Sequence, residues 1–237
     1  REYIKVKKIL RNFNKEDDAF YWFRIKKEAQ ILIEEKNYES GLKYIDSKFS
    51  KIENPNSKII FDLANFYKNS KNFETAIKYY TQIISKLDDD SLIKSDLLFR
   101  RGGSYERLGK FEESDKDFFH SLDINPNNAH VLNYLAYSWL EREYKIDEAM
   151  KLLQTAYELR SDDPYIIDSI GWAYYLINNY SEAEKYIKRA VELMPDDPIV
   201  NDHYGDILWK LDRKMQARYF WNNVLTFDDT EKDMINK

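Results

Sequence analysis

Hydrophobic, polar and small positions recur along the chain in a pattern that predicts pairs of amphipathic helices. One string recurs: an aromatic or apolar residue, two polar or acidic residues, then a small residue. It occurs as NYESG, NFETA, KFEES, KIDEA and NYSEA, with a weaker copy, RKMQA. The copies end at Gly41, Ala76, Ser114, Ala149, Ala183 and Ala217. Because these positions lie about 34 to 38 residues apart, the chain is predicted to be built from repeats.

A second series of small residues precedes the first in every copy. Its members are Ala29, Ala64, Gly102, Ala136, Gly171 and Gly205. Two helices that pack closely need small residues at their contact, since larger ones push the axes apart. Glycine costs about 1 kcal/mol relative to alanine inside a helix, so Gly171 is predicted to be a close contact. Tyr174, on the same helix face, is predicted to fill the groove between the helices.

This pattern resembles the tetratricopeptide repeat, a helix-turn-helix unit of about 34 residues. The resemblance extends from residue 22 to the end of the chain. It implies an all-α fold, a right-handed superhelical solenoid of antiparallel helix pairs. Six units are expected at about 22–56, 57–94, 95–128, 129–163, 164–197 and 198–230, followed by a polar tail.

Residues 1–21 are expected to contain part of an upstream repeat. The segment YIKVKKILRNF, residues 3–13, reads as a lone amphipathic helix. Since the chain starts at Arg1, we expect it to be a piece of a longer protein.

Composition narrows the classes of function. The chain has 6 Gly and 5 Pro among 237 residues, which favours helices over a loop-rich β fold. Its net charge of -5 argues against a nucleic-acid partner, because phosphate binding needs a basic surface. Without cysteine, it has no thiolate metal ligand. A chain with 33% charged residues is too polar for a membrane span, and none is expected.

In stacked helix pairs, the first helices form a concave surface that suits another chain. The repeat register places eight partner-binding candidates there, namely Asn133, Tyr137, Asp168, Trp172, Tyr175, Asp202, Asp206 and Trp209. Trp172 and Trp209 are predicted to be anchors, since aromatic side chains dominate binding energies. The aspartates are predicted to be exposed and to select a protein or peptide of basic character. The alternative is that the four aromatic candidates pack against the next unit.

Catalytic and metal chemistry find little support in the sequence. His203 lies between Asp202 and Asp206, and a zinc site there would lack an evident fourth ligand. A solvated polar helix face is the favoured interpretation of this segment. Motifs of hydrolases and phosphate-binding loops do not occur. We therefore expect no catalytic residue, no metal and no cofactor, and a protein that is not an enzyme.

The C-terminal repeats carry a narrower resemblance. Residues 132–142 and 162–221 are similar to the last repeats of bacterial outer-membrane-linked tetratricopeptide lipoproteins. Members of that kind act as adaptors, including one that docks a C-terminal processing protease and brings it peptidoglycan-hydrolase substrates. The resemblance implies a non-enzymatic adaptor in the periplasm, anchored to the outer membrane through a part upstream of Arg1. A cytoplasmic location is the alternative.

Two other functions stay open at this stage. The chain could be an accessory domain of a larger cell-wall enzyme. It could also be a self-associating structural module, because Tyr219, Phe220 and Leu225 are predicted to leave an apolar C-terminal end.

Overall fold

The computed structural model describes residues 18–35 and 37–227. Within these residues, α-helices connected by turns and loops are the regular secondary structure. Short turns connect consecutive helices, so each pair runs antiparallel. The twelve helices of this part of the chain are α1 (Asp18–Glu34), α2 (Tyr38–Phe49), α3 (Ser57–Asn69), α4 (Phe73–Ile84), α5 (Leu92–Glu106), α6 (Phe111–Ile124), α7 (Ala129–Glu141), α8 (Ile146–Leu159), α9 (Pro164–Leu176), α10 (Tyr180–Leu193), α11 (Pro198–Lys210) and α12 (Lys214–Val224). The predicted all-α fold of paired helices is confirmed.

The small residues lie where the two helices of a pair approach each other. A Cβ added to Gly171 of α9 would lie 2.5 Å from Cγ1 of Ile187 and 3.1 Å from its backbone nitrogen on α10. Ala183 is fully buried. The Tyr174 ring stacks on Tyr186 of α10, with ring centroids 5.6 Å apart. The predicted close contact at Gly171 and the placement of Tyr174 between the helices are therefore confirmed.

Helix ends follow from local sequence. Side chains of asparagine or aspartate cap the N-termini of seven described helices, through Asn37, Asn56, Asn72, Asn128, Asp163, Asn179 and, with two backbone N–H groups, Asp197. Such caps satisfy backbone donors that have no partner within the helix. Pro164 and Pro198 occupy the first helical positions of α9 and α11, where a missing N–H costs nothing.

The chain divides into two compact units, a first unit of Arg1–Leu87 and a second unit of Asp88–Lys237. The repeat pattern did not predict this division. It falls at Asp88, Asp89 and Asp90, which are exposed. Within the first unit, Lys26 of α1 pairs with Asp62 of α3 at 2.8 Å.

The second unit contains α5 to α12. Its largest core runs through α6, α7, α8 and α9 and includes Phe118, Leu135, Leu153 and Ile166, all buried. This core fixes the first helices of successive pairs beside one another. Those helices position the site described below.

Some expectations fall at or beyond the edges of the description. Helix α1 begins at Asp18, four residues before the predicted start of the first repeat. The expected helix over residues 3–13 and most of the polar tail, residues 228–237, lie outside the described residues. Among the helices described, none has the length and apolar character that crossing a membrane requires.

Candidate functional site

The first helices of the second unit line a concave site, here called the acidic cleft, with a volume of about 630 Å³. This volume is typical of sites that enclose a small ligand or a short segment of chain. Its ionisable lining consists of Glu106, Glu141, Asp168, Asp197 and Asp202, with Arg107, His130 and His203. Its aromatic lining consists of Phe99, Tyr134, Tyr137, Tyr165 and Trp172. Five carboxylates against one arginine and two histidines favour a cationic occupant.

The structure places five of the eight predicted partner-binding residues in this cleft. They are Asn133, Tyr137, Asp168, Trp172 and Asp202. Tyr175, Asp206 and Trp209 lie outside its lining. Whether any of them binds a partner remains a prediction.

Trp209 faces the second helix of its own pair. Its ring centroid lies 5.4 Å from that of Trp221 on α12, and the Lys214 ammonium lies 5.4 Å from the Trp209 ring. The Trp221 indole fills the space beside Gly205, where a Cβ would clash with it. The repeat register did not predict this contact, because it considers only the positions on the first helix of the pair. Trp209 is 38% exposed and lies apart from the cleft.

Trp172 takes part in a stack of rings inside the cleft. Its ring lies parallel to that of His203, with centroids 4.1 Å apart and planes 13° apart. It also stacks on Tyr175 at 4.7 Å, and Tyr175 in turn lies 5.6 Å from Tyr180. Tyr175 is half-buried and packs against a core formed by residues of α10, α11 and α12. Trp172 lines the cleft from within this stack, and its role as an anchor stays a prediction.

The floor of the cleft contains a buried ion pair. His203 Nδ1 on α11 lies 3.0 Å from Asp168 Oδ1 and 3.1 Å from Oδ2 on α9. Both residues are about 5% exposed. Because a buried charge is costly unless it is paired, the carboxylate and the imidazole hold each other in place.

Burial by itself lowers the pKa of His203, since a charged imidazolium is disfavoured away from water. The Asp168 carboxylate opposes this effect through its charge and its hydrogen bond, with smaller contributions from Glu141 and Asp202. The carboxylates prevail, and the pKa of His203 lies above its ordinary value of 6.5. The stacked Trp172 ring adds a favourable contact for the imidazolium form.

A second titratable group lies on the wall of the cleft. Burial raises the pKa of the Glu106 carboxyl, although Arg107 and a hydrogen bond with Tyr134 act in the other direction. The Tyr134 hydroxyl lies 3.5 Å from Glu106 Oε2. The cleft therefore gains negative charge as the pH rises past the pKa of this group.

Three buried polar atoms of cleft residues have no hydrogen-bond partner within the protein. They are Asn133 Oδ1, Ser138 Oγ and Trp172 Nε1. Such atoms are rare in folded proteins, because each loses its hydrogen bonds to water without replacement. Together they offer an acceptor, a hydroxyl and a donor.

Two expectations about this region are wrong. Asp168 and Asp202 were expected to be exposed, but they are 5% and 6% exposed. His203 was expected on a solvated polar face, and it is buried against Asp168. The sequence held a signal for this pair. Their separation of 35 residues is close to one repeat, so they lie on neighbouring first helices, where the second side chain can reach the first.

Potential metal ligands do not cluster in the part of the chain that the structure describes. Residues 18–35 and 37–227 contain no group of three histidine, aspartate or glutamate side chains able to hold an ion. His203 and Asp168 supply two potential ligands at most, and a structural zinc site needs four.

Comparison with known proteins identifies tetratricopeptide repeats in three segments of the chain. Models described as tetratricopeptide repeat match residues 57–85, 95–128 and 164–197. A tetratricopeptide repeat-containing protein of Pseudomonas aeruginosa is 35% identical over 80 residues, which is 34% of this chain and 14% of that protein. One of Methanocaldococcus jannaschii is 34% identical over 99 residues, which is 41% of this chain and 30% of that protein. The chain thus spans less than a third of either relative.

Solved structures share the fold. A thermophilic tetratricopeptide repeat protein of Thermus thermophilus has a TM-score of 0.64 at 14% identity, covering 76% of this chain and 96% of its own. PilF of Pseudomonas aeruginosa has a TM-score of 0.62 at 18% identity, covering 76% and 79%. MamA of Desulfovibrio magneticus has a TM-score of 0.58 at 16% identity, covering 74% and 97%. Three segments of the chain therefore match tetratricopeptide repeats, as the sequence pattern predicts, and its paired helices share the fold of these solved structures.

Proposed function

We propose that the protein is a non-enzymatic adaptor whose acidic cleft binds an extended segment of a partner protein with basic side chains. The observation that carries the proposal is the lining of the cleft. Five carboxylates line the cleft together with three residues whose buried polar atoms lack partners in the protein. A lysine or arginine side chain would satisfy the carboxylates, and the adjoining peptide group would satisfy the amide and indole atoms.

Binding to short peptides tests this proposal. Three acetylated and amidated tetrapeptides, of lysine, glutamine and glutamate, would be titrated into the protein at fixed ionic strength. We expect the lysine peptide to bind and the glutamate peptide not to bind. Equal affinity for the three peptides would contradict selection by charge.

Matched variants locate the binding surface. Tyr165 lines the cleft and is 58% exposed, whereas Tyr219 lies on α12 and is 62% exposed. Replacing Tyr165 by alanine is expected to weaken binding of the lysine peptide about fivefold, while Tyr219→Ala leaves it unchanged. In the same way Glu141→Gln, in the cleft, is expected to weaken binding, and Glu148→Gln, on exposed α8 surface, is not. Equal effects within either pair would place the binding surface elsewhere.

We further propose that this adaptor acts in a bacterial envelope, anchored to the outer membrane and presenting clients to a protease or cell-wall enzyme. The similarity of residues 132–142 and 162–221 to outer-membrane-linked lipoproteins supports the location. Fractionation of cells producing the full-length protein tests it. Recovery in the cytoplasmic fraction would contradict the envelope location, without bearing on peptide binding.

Self-association is a second candidate, supported by apolar exposure on the last helix pair. Met215 is 79%, Tyr219 62% and Leu225 55% exposed. Phe220, also expected at this surface, instead packs on Tyr204 with ring centroids 4.5 Å apart. Light scattering over a range of concentrations tests this function. A mass that rises with concentration and falls in a Met215→Glu, Tyr219→Glu variant would support it, and a constant monomer mass would exclude it.

A further inference from the structure

The ion pair on the floor of the acidic cleft occupies the place where a cationic ligand would find a carboxylate. Asp168 lines the cleft, yet both of its oxygens lie within 3.1 Å of His203 Nδ1. While His203 is protonated, the imidazolium neutralises Asp168. When His203 loses its proton, the carboxylate keeps its charge and the cleft becomes more negative by one unit.

We propose that a cationic segment binds the acidic cleft in competition with the proton on His203, so that binding releases this proton to solvent. The inference rests on the proposed function, since it concerns the same site and the same class of ligand. It adds to that site a dependence of binding on pH. A rise in pH across the titration of His203 strengthens binding, and a fall in pH weakens it.

The surroundings of His203 support the coupling. The groups that act on it electrostatically are Asp168 on α9, Glu141 on α7 and Asp202 on its own helix, all of them carboxylates. Tyr137 of α7 and Trp172 of α9 cover its ring, with centroids 6.3 Å and 4.1 Å away. The same three carboxylates line the cleft. A cation that enters the cleft interacts with them and repels the positive charge of the imidazolium, so it disfavours the protonated form of His203.

An independent observation indicates that a ligand belongs at this point. Ser138 of α7 is 4% exposed and lines the cleft, and its hydroxyl has no hydrogen-bond partner within the protein. Asn133 Oδ1 and Trp172 Nε1 also lack a hydrogen-bond partner within the protein. An ammonium group with its neighbouring peptide bond supplies donors to the two oxygens and an acceptor to the indole.

The test uses the acetylated tetralysine amide as probe, because its side chains stay charged up to a pH of about 10. Calorimetric titrations between pH 6.0 and 8.5, at one ionic strength and in buffers with different heats of ionisation, give the affinity and the protons released. We expect the affinity to rise about three- to tenfold over this range, with net proton release. In a His203→Gln variant, both effects are expected to vanish.

Two control variants separate His203 from its neighbours. His130 lines the same cleft but is exposed, and Glu106 also titrates on its wall. The His130→Gln and Glu106→Gln proteins are expected to release protons on binding, although loss of the Glu106 carboxylate weakens the binding itself. Loss of the effect in either of them, with retention in His203→Gln, would overturn the assignment to His203.

A measurement on the unaltered protein covers the case in which His203→Gln does not fold. By reciprocal linkage, the probe must lower the pKa of His203, which NMR of the ring protons reports with and without peptide. An unchanged pKa in the presence of bound probe would overturn the inference and leave the proposed function standing. Absence of tetralysine binding at every pH, by a protein of normal helicity, would overturn both.

Discussion

The glycines in the helices differ in how much space surrounds them. Gly171 and Gly103 are both helical, but they face different surroundings. A Cβ on Gly171 would press on Ile187, including its backbone nitrogen at 3.1 Å. A Cβ on Gly103 would meet Tyr134 in the cleft no closer than 3.6 Å, an ordinary contact. Gly171 is therefore required by packing, whereas Gly103 is not.

The two positions make a matched test of that distinction. Alanine gains about 1 kcal/mol over glycine in a helix, and overpacking of a core costs about 1 to 3 kcal/mol. We expect Gly171→Ala to lower the free energy of unfolding by about 1 kcal/mol, and Gly103→Ala to leave it unchanged or raise it. Urea denaturation followed by circular dichroism measures both. Equal stabilisation of the two variants would show that α9 and α10 do not pack closely at Gly171.

The buried ion pair makes stability depend on pH in a defined direction. The pKa of His203 is raised above 6.5 in the folded protein, so folding favours the protonated imidazole. Its contribution to stability is fully present below pH 6.5, where both states hold the proton. It is lost as the pH rises through the raised pKa of the folded state.

We therefore expect the wild type to lose stability from pH 6.5 upward relative to a His203→Gln variant. Thermal or urea unfolding at several pH values measures the difference. His120→Gln, at an exposed position on α6, serves as the control and is expected to follow the wild type. A constant difference between wild type and His203→Gln across this range would contradict the raised pKa.

At the scale of the helix, most of what the structure contains was predictable. The 34- to 38-residue spacing of small residues defines pairs of helices because each pair needs one close contact. Turn and cap residues then set the ends. Pro126 and Pro195 come two residues after the last residues of α6 and α10, as expected where proline stops a helix.

The side-chain environment of the site was less predictable, and the aspartates show why. The register assigns a residue to a face of a helix, but burial also depends on what the next pair presents. His203, one position after the repeat equivalent of Asp168, covers that carboxylate. The register assigns Trp209 to the groove, but its ring packs against Trp221 on α12, the second helix of the same pair. Neither contact can be predicted from one helix alone, because the first joins two helix pairs and the second depends on the residue that α12 presents.

Capping provides a test at this scale. The Asn56 side chain accepts a hydrogen bond from the backbone N–H of Ile59 at 3.0 Å, at the start of α3. Replacing Asn56 by alanine is expected to cost about 1 kcal/mol of stability, whereas Asn56→Asp keeps the acceptor and the stability. Denaturant unfolding of the three proteins measures this. Equal losses in both variants would mean that the amide contributes something other than the cap.

At the scale of the whole molecule, the division at Asp88 matters most. The acidic cleft is lined by residues of the second unit alone, from Phe99 to His203. That unit also contains a continuous core through α6 to α9. A cleft within one unit does not need the other unit for its lining.

A fragment covering residues 88–237 is accordingly expected to fold and to bind the tetralysine peptide with the affinity of the 237-residue chain, within about twofold. Circular dichroism establishes folding, and calorimetry measures binding. A folded fragment that fails to bind would show that the first unit takes part in recognition.

The central claim is that the acidic cleft receives a basic segment. It is tested most directly at the indole N–H of Trp172, a buried donor without a partner in the protein. In a ¹⁵N-labelled sample with five tryptophans, a Trp172→Phe variant identifies this signal, and tetralysine and tetraglutamate amides are then added in turn. The account predicts a saturable shift of the Trp172 signal with the lysine peptide, and no shift with the glutamate peptide. A lysine peptide that binds while the Trp172 signal stays in place would contradict the account.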